Sequence, residues 1–383
     1  MDIGFATFQY YPFGGLEKSM HNIAREVLRR GHKLTFYCHS WEGPHLSGAK
    51  IEIIPAKGWT NHGKMLSFVR KFQKTVHKCE HDLVVGFKRM PGLDLYYNGD
   101  VCYQHEVGLK YIPLLKLAPR YKILSSFEKA VFSKEASTHI MYIAEREKRI
   151  FQSCYETPEQ RFHPLPAGID KKSIRDASSS GQRTRTRSAL GVSGDSLVLL
   201  MIGSDFQRKG VDRSMRALAA LPADLRQNTQ LWVVGKGDAR PFAKMGAELG
   251  IADQVVFLGP RDDVPHLLAA ADILLHPALS ETAGNAILEG LVAGIPVVVS
   301  ESAGFSVHVA RADGGLVVSD IPWHQHLLDK ALLRLASDQE FRKQLGQNGW
   351  YYADITDLYG RPRVACDIIE KLVKEKVHAD LAC

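Results

Sequence analysis

Residues 280–290 read SETAGNAILEG, with carboxylates at Glu281 and Glu289. A strand-like apolar run, Ile273–Leu275, precedes this stretch, and a second one, Pro296–Val299, follows it. The order of strand, tight loop, helix and strand predicts one unit of a parallel α/β sheet. In this unit we expect Glu281 in the loop and Glu289 about two turns into the helix.

The start of this helix is a candidate binding site for hydroxyl-rich ligands. Free backbone N–H groups at Ala283, Gly284 and Asn285 would attract anions and hydroxyl oxygens, and the carboxylate of Glu281 would add an acceptor. A sugar needs donors and acceptors together in this way. The plain alternative is that Glu281 is a favourable charge at a helix N-terminus and Glu289 lies on a solvated face.

Length and charge limit the possible partners. The 383 residues suggest two domains, and the net charge of +7 fits phosphates, nucleic acid or an anionic membrane surface. The six cysteines are scattered without a C-x-x-C pair, which predicts neither a zinc site nor a disulfide framework. The sequence shows no signal peptide and no apolar run long enough to span a bilayer, so we expect a cytoplasmic protein.

The N-terminal half opens with a strand at Ile3–Phe8, the pair Gly14-Gly15 and a helix with apolar residues at helical spacing. Glycines let the backbone approach a ligand, and the helix start offers amides to a phosphate. A turn that merely needs positive φ is the alternative. Asp100 follows a strand at Leu93–Tyr97, where ligands of parallel sheets bind, so it is either a substrate contact or a loop cap.

A basic segment spans residues 103–134. Six cations and two acids give it a charge of six minus two, or +4, and aromatic and aliphatic residues lie between them. The cations are Lys110, Lys116, Arg120, Lys122, Lys129 and Lys134. This mixture suits an anionic bilayer surface, although an ordinary helical pair with a solvated basic face would look similar. Nucleic acid fits less well, because no recognition-helix, RRM or KH signature is present.

The α/β pattern is interrupted once and then restarts. Lys171–Arg187 is polar and lacks apolar periodicity, so we predict a linker or surface excursion and place the domain boundary at residues 168 and 169. After the next strand, Leu197–Ile202, the loop carries Arg208 and Lys209 at a helix start. The forked donors of arginine and the point charge of lysine match a diphosphate, although a solvated pair is the alternative.

Taken together, these motifs resemble those of the retaining glycosyltransferases of the GT-B fold, family four. The resemblance rests on Glu281-x7-Glu289, Arg208-Lys209-Gly210, Gly14-Gly15 and Pro166–Asp170. Longer runs are similar to the subgroup of bacterial lipopolysaccharide core glucosyltransferases that act on inner-core heptose. They include Tyr11–Leu16, Ser40–Gly43, Met90–Asp94 and Lys209–Ser214.

The resemblance implies an α/β architecture of two Rossmann-like domains facing across a cleft. The N-terminal domain would comprise residues 1–168 and a C-terminal helix, about 355–383, that crosses back to it. The C-terminal domain, residues 169–354, would bind a UDP-sugar. By match, Glu289 would bind the ribose, and Glu281 with the amides near Ala283, Gly284 and Asn285 would bind the donor sugar.

Other roles follow from the same resemblance. Arg208 and Lys209 would neutralise the diphosphate, assisted by the Gly14-Gly15 loop through the Gly15 amide. Arg261 would lie near the uracil, and Asp100 would approach the sugar from the other domain. Because cations do this work, no metal cofactor is expected, and we expect no enzyme nucleophile.

The implied reaction moves a hexose, glucose from UDP-glucose, to the heptose of a lipid-anchored core oligosaccharide. The basic segment would dock the enzyme on the inner membrane. Three alternatives stay open at this point. Asn285 stands where an apolar residue is expected, so the donor could be an N-acetylhexosamine. The acceptor could be soluble, or the chain could bind UDP-sugars without catalysis.

Overall fold

The computed structural model describes residues 1–12, 14–109, 116–178 and 181–382. The chain divides into two compact units. The first unit is Met1–Gly168 together with the C-terminal segment that starts at Gly360, and the second is Ile169–Tyr359. Each unit is built on one parallel sheet.

Fifteen strands lie within the described residues. They are β1 (Asp2–Ala6), β2 (Gln9–Tyr10), β3 (Lys33–Cys38), β4 (Ser40–Trp41), β5 (Ala49–Ile53), β6 (Leu83–Gly86), β7 (Leu95–Asn98), β8 (His139–Tyr142), β9 (Phe162–Pro164), β10 (Leu197–Ile202), β11 (Thr229–Val234), β12 (Val255–Gly259), β13 (Ile273–His276), β14 (Val297–Ser300) and β15 (Gly315–Val318). The first sheet has the order β5-β3-β1-β6-β7-β8-β9 and the second β12-β11-β10-β13-β14-β15. Neighbouring strands are parallel in both sheets, and β2 pairs separately with β4.

Helices connect these strands. They are α1 (Gly15–Arg29), α2 (Asn61–Val76), α3 (Tyr103–Leu109), α4 (Pro119–Phe132), α5 (Glu145–Tyr155), α6 (Lys171–Ala177), α7 (Gln182–Ala189), α8 (Val211–Ala219), α9 (Ala223–Gln227), α10 (Arg240–Glu248), α11 (Val264–Ala270), α12 (Asn285–Ala293), α13 (Ser306–Ala312), α14 (Gln325–Ser337), α15 (Gln339–Ile355) and α16 (Arg361–Ala382). Two short 3₁₀ turns lie at Glu159–Arg161 and Ala252–Gln254.

Both faces of the first sheet are covered by apolar helix stripes. On one face, Ile23 and Val27 of α1 and Ile369 of α16 pack with Ile3 and Phe5 of β1. On the other face, α2, α4 and α5 contribute a cluster rich in phenylalanine, with Phe68, Phe72, Phe127, Phe132 and Phe151. Burial on both faces explains why the central strands are apolar throughout, as parallel sheets require.

The second sheet is covered in the same way. Met215 of α8 and Leu332 of α14 pack on Leu199, Leu231 and Leu275 of the central strands. The expected fold class, α/β with two Rossmann-like domains, is therefore confirmed.

The C-terminal helix, α16, belongs to the first unit. Arg361, its first residue, is only 2% exposed. Its guanidinium donates to the carbonyl of Pro166 (3.0 Å), to Ser19 Oγ (3.2 Å) and to Tyr97 Oη (3.1 Å). The predicted segment, about 355–383, begins six residues before the helix itself, which starts at Arg361. Arg361 anchors this helix start through buried contacts that an apolar pattern does not reveal.

The prediction of an irregular linker at Lys171–Arg187 was wrong, because α6 and most of α7 lie there. Arg187 is 3% exposed, and it donates to the carbonyl of Ala270 (3.0 Å) and to Asp272 Oδ2 (2.6 Å). Arg183 donates to Asp272 Oδ1 at 2.5 Å. Polar anchoring holds α7 in place of an apolar stripe, so hydrophobic periodicity could not find this helix.

Smaller differences concern element ends. The first strand ends at Ala6 instead of Phe8, because Gln9–Tyr10 pairs with β4 as a separate ladder. Glu289 is the fifth residue of α12, so it lies just beyond one turn from the helix start. Four short helices, namely α9, α10, α11 and α13, were not predicted from the sequence.

Two further findings concern membrane-spanning helices and cysteine pairing. No helix in the described part of the chain combines the length and the apolarity that crossing a bilayer demands. The five cysteines in that part of the chain are unpaired.

Candidate functional site

Two loops meet at one edge of the second sheet. Strands β10 and β13 are neighbours, and each is followed by a loop that leads toward a helix start. The amide of Leu279 in the second loop donates to the carbonyl of Arg208 in the first, at 2.8 Å. Because ligands of parallel sheets bind beyond the carboxyl ends of such strands, this edge is the candidate site.

The structure brings three predicted residues together here. Lys209 Nζ donates to Glu281 Oε2. Arg208 Nη1 lies 3.5 Å from the same oxygen and donates to the carbonyl of Ser280 at 2.9 Å. One carboxylate oxygen therefore lies beside two cations that come from a different loop.

Burial strengthens this cluster. The side chains of Glu281 and Lys209 are 12% and 13% exposed, whereas that of Arg208 is 42% exposed. Burial raises the pKa of Glu281, but the nearby imidazole of His276 and the charge of Lys209 outweigh it, so its pKa lies well below the usual range. The site thus holds an ionised acceptor beside two donors at neutral pH.

His276 is a site residue that the sequence analysis missed. It ends β13, it is 1% exposed, and its Nε2 lies 3.4 Å from Glu281 Oε2. Burial lowers the pKa of His276, so the ring is neutral, and a proton on Nε2 would point to Glu281. The available signal was a polar residue that ends the otherwise apolar run Ile273–Leu275.

Two glycines allow the loops to approach each other. Gly210 has φ +75°, and a Cβ at this position would lie 2.1 Å from the carbonyl oxygen of Pro277. Gly284 has φ +86°, and a Cβ there would lie 2.7 Å from Ile287 Cδ1 and 3.3 Å from His276 Nε2. Both positions therefore require glycine, for conformational and for steric reasons.

The predicted amide donors lie at the N-terminus of α12, with Gly284 as the N-cap residue. Within the described residues, the amides of Ala283, Gly284 and Asn285 donate to no protein acceptor. The loop itself is held by the amide of Phe305, which donates to the carbonyl of Ala283 at 2.9 Å. Glu289 is half-buried in the next turn of the helix.

The structure does not bring Arg261 into contact with this cluster. It follows β12, which lies at the sheet edge, two strands from β10. Its guanidinium forms a two-pronged ion pair with Asp263, at 2.6 and 2.5 Å. Its assignment to the uracil stays a prediction.

The predicted residues of the first unit lie at the corresponding edge of the first sheet. Gly14 is the N-cap of α1, Gly15 is its first residue, and Asp100 follows β7. Lys88 Nζ lies 3.5 Å from Asp100 Oδ2. Lys88 was not predicted from the sequence. Glu17 was not predicted either, and its carboxylate lies so close to Gly14 that a Cβ there would be 1.7 Å from Oε2.

The basic segment is described only in part, because residues 110–115, including Lys110, lie outside the described residues. Lys116, Arg120, Lys122 and Lys129 are exposed. Glu128, by contrast, is fully buried.

Glu128 is held by several donors. It accepts hydrogen bonds from Arg89, from the amides of Tyr103 (2.8 Å) and Gln104 (2.9 Å), and from Tyr155 Oη (2.7 Å). Glu128 therefore ties α4 to the start of α3 and adds no negative charge to the surface.

Within the described residues, no group of three or more His, Cys, Asp or Glu side chains could hold a metal ion. The absence of a metal requirement stays a prediction that rests on the charges of Arg208 and Lys209.

Known proteins resemble this chain over nearly its whole length. A family model described as glycosyl transferases group 1 matches residues 182–350, and one described as glycosyltransferase family 4 matches residues 13–173. The lipopolysaccharide glucosyltransferase WaaG of Escherichia coli strain K12 is 39% identical over 96% of this chain and 98% of its own length.

Solved structures agree with these matches. A crystal structure of WaaG, described as a glycosyltransferase involved in lipopolysaccharide biosynthesis, superposes with a TM-score of 0.92, covering 96% of this chain and 99% of that one at 38% identity. The Anabaena protein Alr3699/HepE, solved with UDP and glucose, has a TM-score of 0.73 over 98% of this chain and 100% of that one. At 19% identity, that likeness concerns the fold alone. The chain therefore belongs to the group 1 and family 4 glycosyltransferases, enzymes that transfer sugars.

Proposed function

We propose that this enzyme transfers glucose from UDP-glucose to the heptose of the lipopolysaccharide inner core, with retention of configuration. The observation that carries the transfer chemistry is the cluster of Arg208, Lys209 and Glu281 at the carboxyl ends of β10 and β13. The lipopolysaccharide core as acceptor is supported by the 39% identity to WaaG, whose name states a lipopolysaccharide glucosyltransferase.

The donor would be held mainly by the second unit. Glu281 and the amides of α12 would bind the sugar hydroxyls, and Glu289 would bind the ribose. Lys209 and Arg208 would contact the diphosphate, and Arg261 would lie near the base. The mixture of one ionised acceptor, two cations and free amides supports this assignment, because a nucleoside diphosphate sugar needs all three.

The chemistry requires one bond to break and one to form. The bond between the anomeric carbon and the diphosphate oxygen breaks, and the acceptor hydroxyl oxygen attacks that carbon from the same face. The hydroxyl proton passes to the departing phosphate oxygen. Negative charge grows on the diphosphate during this step, so Lys209 and Arg208 favour the transition state over the ground state.

Two residues of the first unit stay proposed contacts of the donor, Asp100 for the sugar and the Gly15 amide for the diphosphate. In support of an open approach, a Cβ added at Gly15 would meet no atom within 4 Å.

The acceptor's lipid anchor implies work at a membrane surface. We therefore propose peripheral association with the cytoplasmic face of the inner membrane through residues 103–134. The exposed cations Lys116, Arg120 and Lys122 support this, and the burial of Glu128 removes one of the segment's two acids from the surface. Neutralising Lys110, Lys116, Arg120 and Lys122 together should reduce binding to anionic liposomes. Unchanged binding would indicate that this segment is an ordinary surface helix with a solvated basic face.

A donor panel followed by a transfer assay tests the reaction. Thermal shifts should be largest with UDP-glucose among UDP-glucose, UDP-galactose, UDP-GlcNAc, UDP-GalNAc and ADP-glucose. Purified core lacking the outer sugars should then release UDP and gain an α-linked glucose, measured by NMR. Binding without UDP release from donor and acceptor together would instead indicate a non-catalytic binding protein.

A second donor class is favoured by one observation. Oδ1 of Asn285 is buried and finds no hydrogen-bond partner within the described residues. Because Asn285 begins α12, its carboxamide is placed to accept from the N–H of an N-acetylhexosamine. If that donor is the true one, Asn285→Leu should abolish the thermal shift caused by UDP-GlcNAc and leave the thermal shift caused by UDP-glucose unchanged.

A further inference from the structure

One side chain of the first unit is unusually exposed. Trp59, in the loop between β5 and α2, has a relative exposure of 105%. The other large apolar side chains of the described residues reach at most 75%. A large indole held wholly in water is a costly arrangement unless a partner covers it.

The loop that presents Trp59 is firmly attached to α2. The amide of Lys57 donates to Ser67 Oγ at 3.1 Å, and Thr60 Oγ1 accepts from the amide of Gly63 at 3.1 Å as the helix cap. A Cβ at Gly58 would lie 2.7 Å from the amide nitrogen of Lys64, so the loop packs directly on the helix start. Local packing therefore fixes the position from which the indole projects.

The helix behind Trp59 is basic without opposing charge. Between Glu52 and Glu80 the chain has six cations and no acid. The cations are Lys57, Lys64, Arg70, Lys71, Lys74 and Lys78. Arg70 and Lys74 are exposed on the side of α2 opposite its buried Phe68 and Phe72.

This helix packs beside the second basic helix of the unit. Phe68 and Phe72 of α2 lie in one apolar cluster with Phe127 and Val131 of α4. The only acid of α4, Glu128, is fully buried, so the exposed charges of α4 are cationic as well. The two helices thus present neighbouring basic surfaces, and Leu117, just before α4, is 66% exposed.

We propose that Trp59 and α2 form a second docking surface for an anionic lipid bilayer, beside the segment 103–134. This inference rests on the membrane association proposed above. A bilayer is the favoured occupant because an indole prefers the headgroup level, and because clustered lysines are attracted to anionic lipid without specific geometry. Five of the six cations are lysines, whereas recognition of nucleic-acid phosphates favours the fork of arginine.

The test compares three sets of changes in the full chain. The first is Lys57→Gln, Lys64→Gln, Arg70→Gln and Lys74→Gln together, and the second is Trp59→Ser alone. The matched control removes four exposed cations of the second unit, Lys244, Arg311, Lys330 and Arg334, by the same change to Gln. Binding is measured by co-sedimentation with vesicles of phosphatidylethanolamine and phosphatidylglycerol, and with vesicles of phosphatidylcholine alone.

We expect the four-cation variant of α2 to partition about tenfold or more weakly to the anionic vesicles at low salt, with the control unchanged. Wild-type binding should fall at high salt, and this dependence should be smaller in the variant. Brominated lipids should quench wild-type tryptophan fluorescence, and Trp59→Ser should remove most of that quenching. Thermal unfolding checks that each variant is folded.

The outcomes separate this inference from the proposed function. If the wild type does not bind anionic vesicles, the membrane association itself fails. If it binds, and only changes at Lys116, Arg120 and Lys122 weaken it, the surface on α2 is overturned and the segment 103–134 suffices. Binding of the α2 cations to single-stranded RNA in place of vesicles would also overturn it.

Discussion

The helix starts after the first strand of each sheet occupy equivalent positions but carry opposite charges. In the first unit, α1 begins at Gly15, and the carboxylate of Glu17 lies beside Gly14. In the second unit, α8 follows Arg208 and Lys209, whose cations face Glu281. Both loops contain glycines, as phosphate-binding loops do. Of the two, the loop of the second unit, hereafter the second loop, carries the cations Arg208 and Lys209.

From this difference we expect the two loops to have different roles. A diphosphate needs charge compensation, which Lys209 and Arg208 would provide. The loop before α1 offers backbone amides and no cation, and the carboxylate of Glu17 lies beside Gly14 at that helix start. We therefore expect strong effects from changes in the second loop and weak ones from changes in the first.

The largest expected effect is that of Lys209→Ala. If this buried donor acts on the developing charge, its loss should raise the activation free energy by about 3–4 kcal/mol. That corresponds to a fall in kcat of about 10²–10³-fold, measured in a UDP-release assay. Lys244→Ala, at an exposed position of α10, is the control. Near-normal turnover in Lys209→Ala would show that the diphosphate lies elsewhere.

Next in size is the contrast between Gly210→Ala and Gly15→Ala. The first variant forces a Cβ to 2.1 Å from Pro277 O at φ +75°, so the free energy of unfolding should fall by about 2–4 kcal/mol. At Gly15 a Cβ would meet nothing within 4 Å, and the position is helical, so stability should change by less than about 1 kcal/mol. Urea unfolding of both variants measures the difference. Equal midpoints would mean that the two loops do not differ in packing.

A smaller effect is expected for Glu17→Gln. If the α1 amides receive a phosphate, removal of the adjacent negative charge should tighten UDP binding about two- to fivefold at low salt, as measured by calorimetry. Weaker binding in the variant would instead assign the carboxylate itself to the ligand.

The same variant has a pH signature. Burial raises the pKa of Glu17, so just above pH 4.5 the folded chain keeps a proton that the unfolded chain loses. The stability from that proton is present at low pH and is lost as the pH rises through the folded pKa. Glu17→Gln should flatten this slope in urea titrations across that window.

The smallest expected effect is that of a chelator. Because Lys209 and Arg208 supply the positive charge, we expect EDTA to leave the rate of UDP release unchanged. A strict requirement for a divalent ion would show that the two side-chain cations do not suffice. The positive charge of Lys209 and Arg208 would then not explain how the two loops differ in function.

Three members of the cluster in the second unit were predicted from the sequence. Glu281, Arg208 and Lys209 were identified because each follows an apolar strand, and parallel strands bring their carboxyl ends to one edge. His276 was missed, because its contact with Glu281 at 3.4 Å depends on how a loop folds back over the strand end. Glu17 was missed because a glutamate in a first helical turn usually signals a cap and nothing more.

Local patterns thus determined the alternation of strands and helices, the glycine positions and the boundary near Gly168. These features depend on neighbours in sequence, which a single chain displays directly. Only the tertiary structure decided that Asp272 anchors α7 through Arg183 and Arg187, that Arg361 attaches α16 to the first unit, and that Glu128 is buried. Each of these is a charged side chain whose partner is distant in sequence, so its burial and its contacts depend on the topology and not on any local pattern.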